Sequence, residues 1–118
     1  MAREMFERDL QELEDELLTL GSRVEKAITD SVSSLKRRDL DTAQQIVEQD
    51  RQLNEQRYEL EAKALTLIAT QQPMAGDLRT IAAILSLASE LERIGDYAKG
   101  VANITVLMGD EPLLKPLI

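Results

Sequence analysis

The chain has 118 residues, of which 43% are hydrophobic and only 3% aromatic, which is enough for a single modest core. Its 22 acidic and 14 basic residues give a net charge of −8, the wrong sign for binding a nucleic-acid backbone. The absence of cysteine and histidine excludes disulfides, thiolate zinc sites and imidazole catalysis. Any chemistry must therefore depend on carboxylates, guanidinium groups and hydroxyls.

The apolar residues are mainly alanine, leucine and isoleucine, which favours an all-helical domain over a sheet sandwich or a barrel. No apolar run approaches the roughly 20 residues of a membrane span. The stretch from Met1 to Glu7 is too charged to open a signal peptide. These observations predict a cytoplasmic protein.

The first predicted helix covers about residues 3–36. Apolar or small residues recur along it at steps of three and four, the pattern of a bundle seam: Phe6, Leu10, Leu13, Leu17, Leu20, Val24, Ala27, Ser31 and Leu35. The helix is expected to end at Lys36 to Arg38, because cations suit the last turn of a helix. Asp39 can then cap the amides of the next helix.

Two further helices are predicted, over about residues 40–71 and 74–108. Pro73 separates them because proline is tolerated only in the first turn of a helix. Gly109 is a typical residue just past a helix end. Three helices of about 30 residues with short loops pack as an antiparallel up-down-up bundle. The sequence therefore predicts an all-α three-helix domain over residues 3–109.

The inward stripe of the second helix changes from apolar to polar and back again. Its members in chain order are Ala43, Ile46, Val47, Asp50, Asn54, Arg57, Glu61, Ala64, Leu65 and Ile68. On the third helix, Glu92 and Asp96 lie four residues apart, so their carboxylates share one face and can hold one cation. Asp50 lies as far before Pro73 as Asp96 lies after it, and Asn54 and Glu92 are matched in the same way. A reversal at Pro73 therefore brings these four polar residues to one height.

Three carboxylates at one height repel one another, so the cluster needs a compensating cation. One candidate is a metal ion, because oxygen-only ligation suits magnesium, manganese, calcium or iron better than zinc or copper. The other is a structural ion-pair layer with Arg57 and Arg93, which lie within about a turn of the acids. Gly95, between the two acids, fits close approach of a neighbouring helix, an ion or a ligand. The residues alone leave the interpretations open.

Together these segments resemble the PhoU family of phosphate transport accessory proteins. The resemblance covers nearly the whole chain and depends mainly on Gln72 to Arg79 and on Glu90 to Asp96. It implies a duplicated architecture of two three-helix bundles, with Glu/Asp-x-x-x-Asp motifs that bind metal on the bundle surface. By position, Glu92 and Asp96 match that motif, and Asp50 with Asn54 matches its partner on the preceding helix.

The resemblance also implies a non-catalytic cytoplasmic regulator that keeps the phosphate-starvation response off when phosphate is plentiful. The implied partners are the ATPase subunit of the phosphate importer and a phosphate-sensing histidine kinase, and the implied cofactor is iron, manganese or magnesium. This chain supplies one repeat, as a fragment or a single-domain protein. Residues 110–118 are expected to begin a linker to an absent second repeat. A repeat without its partner leaves an apolar strip exposed, and this strip is expected to make the chain a dimer.

Three other interpretations compete with the regulator. A carboxylate-bridged di-metal oxidase would use Glu-x-x-His pairs from facing helices, and this chain has no histidine. A carboxylate-only metal-binding bundle with a structural role is the second alternative. A purely structural coiled-coil module gives no reason for the polar band from Asp50 to Glu61.

Overall fold

The computed structural model of the protein describes residues 2–109, and the structural statements below concern that range. It contains three α-helices, α1 (Ala2–Arg37), α2 (Leu40–Gln71) and α3 (Ala75–Met108). The predicted helix limits differ from these by one residue at three of the six ends. The expected linker, residues 110–118, lies outside the described residues.

Local sequence explains where the helices begin and end. The Asp39 carboxylate accepts hydrogen bonds from the backbone N–H of Thr42 (3.1 Å) and from its hydroxyl (2.7 Å), which confirms the predicted cap. The chain leaves α2 through Gln72 in the left-handed region, at φ 46°. It leaves α3 through Gly109, at φ 55°, whose N–H donates to the carbonyl of Thr105 at 3.1 Å. These short caps allow the chain to reverse without long loops.

Polar contacts at the two ends of the bundle define the directions of the helices. Arg3 near the start of α1 forms a 2.6 Å ion pair with Asp77 near the start of α3. Arg38, just after α1, donates a 3.1 Å hydrogen bond to the carbonyl of Gly109, just after α3. Helices α1 and α3 are therefore parallel, and α2 returns between them. All three helices pack on one another, and the predicted up-down-up bundle is confirmed.

Aliphatic side chains fill the bundle axis in three successive clusters. The largest, towards the Pro73 end, contains Phe6, Leu13, Leu60, Ala64, Leu67, Ile81, Ile84 and Ala88. The middle cluster contains Leu20, Val24 and Leu53, and the third contains Ala43, Ile46 and Ala102. Two charged side chains, Asp50 and Arg57, are buried on either side of Leu53. The polar interruption of the α2 stripe is thus a structural fact.

One part of the predicted stripe is wrong. Leu65 was expected to face inward, but 59% of its surface is exposed. The inward line instead follows Leu53, Leu60 and Leu67, which repeat every seven residues along α2. Leu65 lies two residues before Leu67, so it is turned by about 200° from that line.

The outer faces of the helices carry the charged residues that solvated faces require. Several exposed pairs lie four residues apart, including Lys26 with Asp30 and Arg51 with Glu55. Each such pair contributes no more than about 0.5 kcal/mol. Within residues 2–109, no helix has a stretch long and apolar enough to cross a lipid bilayer.

Candidate functional site

The four predicted ligands lie along the groove between α2 and α3. Asp50 is buried, with 4% of its surface exposed, Asn54 and Glu92 are half-buried, and Asp96 is exposed. Asp50, Asn54 and Glu92 line a single small cleft. Asp96 lies outside that lining but close enough to act electrostatically on Asp50. The groove therefore brings three of the four into direct proximity and leaves the fourth at its edge.

Asp50 is the buried end of this cluster. The side-chain amide of Asn54 donates a 3.2 Å hydrogen bond to its Oδ2, and Nζ of Lys99 lies 3.8 Å from the same oxygen. Burial raises the pKa of Asp50, because desolvation of the carboxylate outweighs the favourable charge of Lys99. The negative charge of Asp96 adds to the rise. The structure therefore holds Asp50 in a setting that disfavours its ionised form.

Gly95 lies directly opposite Asp50 across the groove. A Cβ atom built on Gly95 would lie 3.8 Å from Oδ1 of Asp50, an ordinary contact distance. Of the three explanations for this glycine, the structure shows only that Gly95 borders the side chain of Asp50 on the neighbouring helix. Glycine is not required here by steric overlap.

Arg57 is the buried cation of the cluster, with 8% of its surface exposed. Its Nη1 donates to both carboxylate oxygens of Glu61, at 2.5 and 3.1 Å. Its Nε lies 3.0 Å from Oε2 of Glu92, but this N–H makes no aligned hydrogen bond with any described residue. The contact with Glu92 is therefore a charge contact. The guanidinium also lies 4.4 Å from the ring centroid of Tyr58, within range of a cation–π interaction.

Arg93 is not the second cation of the ion-pair layer, contrary to that interpretation. Its Nη1 lies 3.5 Å from Glu90, and both side chains are exposed. One residue along a helix is a rotation of about 100°, which turns Arg93 away from Glu92. Lys99, which sequence reasoning missed, contacts Asp50 instead. Its spacing of seven residues from Glu92 was the signal that could have found it.

The arrangement resembles a layer of ion pairs more than a closed metal cage. The donor atoms are hard oxygens of the kind that magnesium, manganese or iron accept. Among residues 2–109, however, no three acidic side chains converge where one metal could be held. Asn54 turns its NH₂ group towards Asp50, and Glu92 lies against Arg57. The four predicted ligands as arranged do not form a complete coordination shell, and the metal site stays a prediction.

The cleft itself is too small for an organic substrate. Its volume is about 10 Å³, which leaves room for no more than about one water molecule. A larger open groove of about 380 Å³ lies between α1 and α2, where Asp9, Glu12 and Lys63 surround a floor of Leu13 and Leu67. That groove is separate from the charged cluster. The geometry of the cluster suits ion pairing or ion binding.

Replacing Asp50 with asparagine is expected to raise the free energy of unfolding at pH 7 by on the order of 1 kcal/mol in the presence of a chelator. The substitution removes a desolvated charge and keeps an oxygen that can accept from Asn54. The pKa of Asp50 is higher in the folded state than in the unfolded state. The wild type therefore loses stability as the pH rises from the ordinary pKa of aspartate through the pKa of Asp50 in the folded state. The advantage of asparagine should therefore vanish below about pH 4.

Urea unfolding at pH 3.5 and pH 7 measures this difference. Glu48→Gln, at an exposed position two residues earlier on α2, is the matched control and should change little at either pH. Destabilisation by Asp50→Asn at pH 7 would mean that the contacts of Asp50 with Lys99 and Asn54 outweigh its desolvation.

Comparison with known proteins supports the resemblance that the sequence motifs indicated. The model of the PhoU domain family matches residues 17–105. A phosphate-specific transport system accessory protein PhoU homolog of Clostridium acetobutylicum is 42% identical over 104 residues, which are 87% of this chain and 48% of that protein. The homolog of Aquifex aeolicus is 31% identical over 111 residues, or 94% of this chain and 50% of that protein.

The fold leads to the same family. The crystal structure of the phosphate transport system regulatory protein PhoU from Streptococcus pneumoniae superposes with a TM-score of 0.85 at 30% identity, over 93% of this chain and 52% of that one. The chain thus spans about half the length of the curated relatives it matches. With three-quarters of its length matched by the family model, the chain belongs to the PhoU domain family.

Proposed function

We propose that the protein is a non-catalytic regulator of phosphate uptake and of the phosphate-starvation response. The observation that carries this proposal is family membership, because the matched relatives are named accessory or regulatory proteins of phosphate transport systems. In the proposed role, it connects the ATPase subunit of a phosphate importer to a phosphate-sensing histidine kinase. It keeps signalling off while phosphate is plentiful.

The surface of the bundle is compatible with an adaptor of this kind. Three long helices present extended faces rich in charge, and the net charge of −8 favours partners with basic surfaces. We place the protein in the cytoplasm, in contact with the membrane only through the importer. The absence of turnover is part of the proposal.

We also propose that a hard cation binds on the surface of the α2–α3 groove. Glu92 and Asp96, one turn apart on α3, would provide its first ligands, with Asp50 and Asn54 behind them. When bound, such an ion would neutralise the excess negative charge at this height of the groove. A carboxylate-only bundle whose metal has a purely structural role is the alternative function, and it shares this site.

The regulatory role and the structural alternative predict different effects of a gene deletion in a living cell. Deleting the gene for the full-length protein is expected to derepress phosphate-starvation genes in phosphate-rich medium, and the wild-type gene should restore repression. In a pull-down, the 118-residue chain should capture the purified ATPase subunit of the importer. Starvation genes that remain silent in the deletion strain would contradict the regulatory role.

A homodimer completes the proposal. The matched relatives are about twice as long as the segment that this chain covers, so two copies together reach the size of one relative. Large apolar side chains that remain exposed on α1 and α3 support such an association.

A further inference from the structure

The outer side of α3 carries a second apolar stripe, apart from the face that fills the core. Leu87 and Ile94 lie seven residues apart, as do Tyr97 and Ile104, and all four are exposed. Tyr97 follows Ile94 by three positions, so Leu87 and Ile94 occupy a positions of a heptad repeat, and Tyr97 and Ile104 occupy d positions. A helix that is apolar on two sides is usually buried on both.

The neighbouring helix extends this surface. Leu18 and Val32 of α1 are also exposed. The Cβ position of Gly21 lies 3.9 Å from Leu91, which places this side of α1 against α3. We define the α1–α3 face by its six exposed large apolar residues: Leu18, Val32, Leu87, Ile94, Tyr97 and Ile104.

The other two grooves of the bundle differ in character from this face. Helices α1 and α2 are bridged by polar contacts along their middle, from Arg23 to Gln56 and from Lys63 to Glu16. The α2–α3 groove holds the charged cluster around Arg57. Over the described residues, polar contacts between α1 and α3 occur only at the two ends of the bundle. The α1–α3 face is therefore the one suited to cover by another apolar surface.

We infer that this face binds a second copy of the chain, with the two α3 helices antiparallel. This inference rests on the proposed dimer and identifies its surface. In an antiparallel pair centred between Gly95 and Asp96, a positions meet d positions, so Ile94 packs against Tyr97 of the second copy and Leu87 against Ile104. A two-fold axis relates the two copies in this antiparallel pairing, so the interface is isologous and closes at two subunits.

Glu90 decides between the two possible directions of pairing. It is the only charged residue of the stripe between Leu87 and Ile104, at a d position. A parallel pair would place the two Glu90 carboxylates in the same layer, where like charges repel. The antiparallel pair places Glu90 opposite Val101, and its carboxylate can remain at the rim beside Arg93, 3.5 Å away in the same chain.

Sedimentation equilibrium of the 118-residue chain tests the surface. The wild type is expected to be dimeric at high micromolar concentration, and Ile94→Glu is expected to weaken association at least about tenfold, because it places a charge in the apolar interface. Leu65→Glu, at an exposed leucine of α2 outside the face, is the matched control and should associate like the wild type. Circular dichroism establishes that both variants are folded.

Disulfide capture tests the direction, because the natural chain has no cysteine. Mixing Ile94→Cys with Tyr97→Cys under mild oxidation should give the mixed disulfide in excess over both homodisulfides. Preferential 94–94 and 97–97 disulfides would overturn the antiparallel register. A dimer that Ile94→Glu leaves intact would overturn this surface but not the proposed dimer, whereas a chain that stays monomeric would overturn both. The regulatory role is judged separately, by gene repression.

Discussion

Replacing Arg57 with methionine should lower the free energy of unfolding by about 2 to 3 kcal/mol. Methionine keeps most of the aliphatic volume of the side chain, so the loss of stability reports the removal of the charge. The substitution leaves Glu61 and Glu92 without the buried cation that both carboxylates contact. Their side chains are 26% and 35% exposed, so partial hydration keeps the effect below the 3 to 5 kcal/mol expected when a fully buried pair is broken.

Arg51→Met is the matched control for this prediction. Arg51 lies on the same helix and forms an ion pair of the same i, i+4 spacing with Glu55, at 3.3 Å, but both side chains of this pair are exposed. Its replacement should change stability by no more than about 0.5 kcal/mol. Urea unfolding of both variants measures the difference. Equal losses at the two positions would show that burial adds nothing to the Arg57 ion pairs.

Saturating Mn²⁺ or Fe²⁺ should raise the melting temperature of the wild type. An ion present at a hundred times its dissociation constant stabilises the folded state by about 2.7 kcal/mol if it binds only that state. The double variant Glu92→Gln/Asp96→Asn should lose this response, because it removes both surface carboxylates of the proposed site. Melting curves with added metal, compared at equal protein concentration, provide the measurement.

The two single variants in chelator separate the metal interpretation from the ion-pair interpretation. Glu92→Gln alone should destabilise the apo protein, since Arg57 then keeps only Glu61 as a charged partner. Asp96→Asn alone should not, because Asp96 is exposed and its charge opposes ionisation of Asp50. A wild-type melting curve that responds neither to chelator nor to metal would reject the metal site and leave the ion pairs as the sole role of the cluster.

Several elements of the protein follow from local sequence. The reversal at Pro73 and the cap at Asp39 depend on residues within a few positions of each turn, so the sequence predicts them directly. The family motif Glu92 to Asp96 is equally local. The height of Asp50 also follows from the sequence to within one residue, because the rise per residue in a helix is constant: the prediction matched it with Asp96, and the structure places it beside Gly95.

The rotation of each helix about its own axis was decided only by tertiary packing. Sequence reasoning placed Leu65 inward and offered Arg93 as a partner, whereas the structure buries Leu60 and Leu67 and brings Lys99 to Asp50. Both α2 and α3 carry apolar residues on more than one side, so hydrophobic spacing alone permits several rotations. The free energy is lowest for the rotations at which the apolar side chains of all three helices together fill the bundle axis. These rotations depend on side chains that are far apart in the chain.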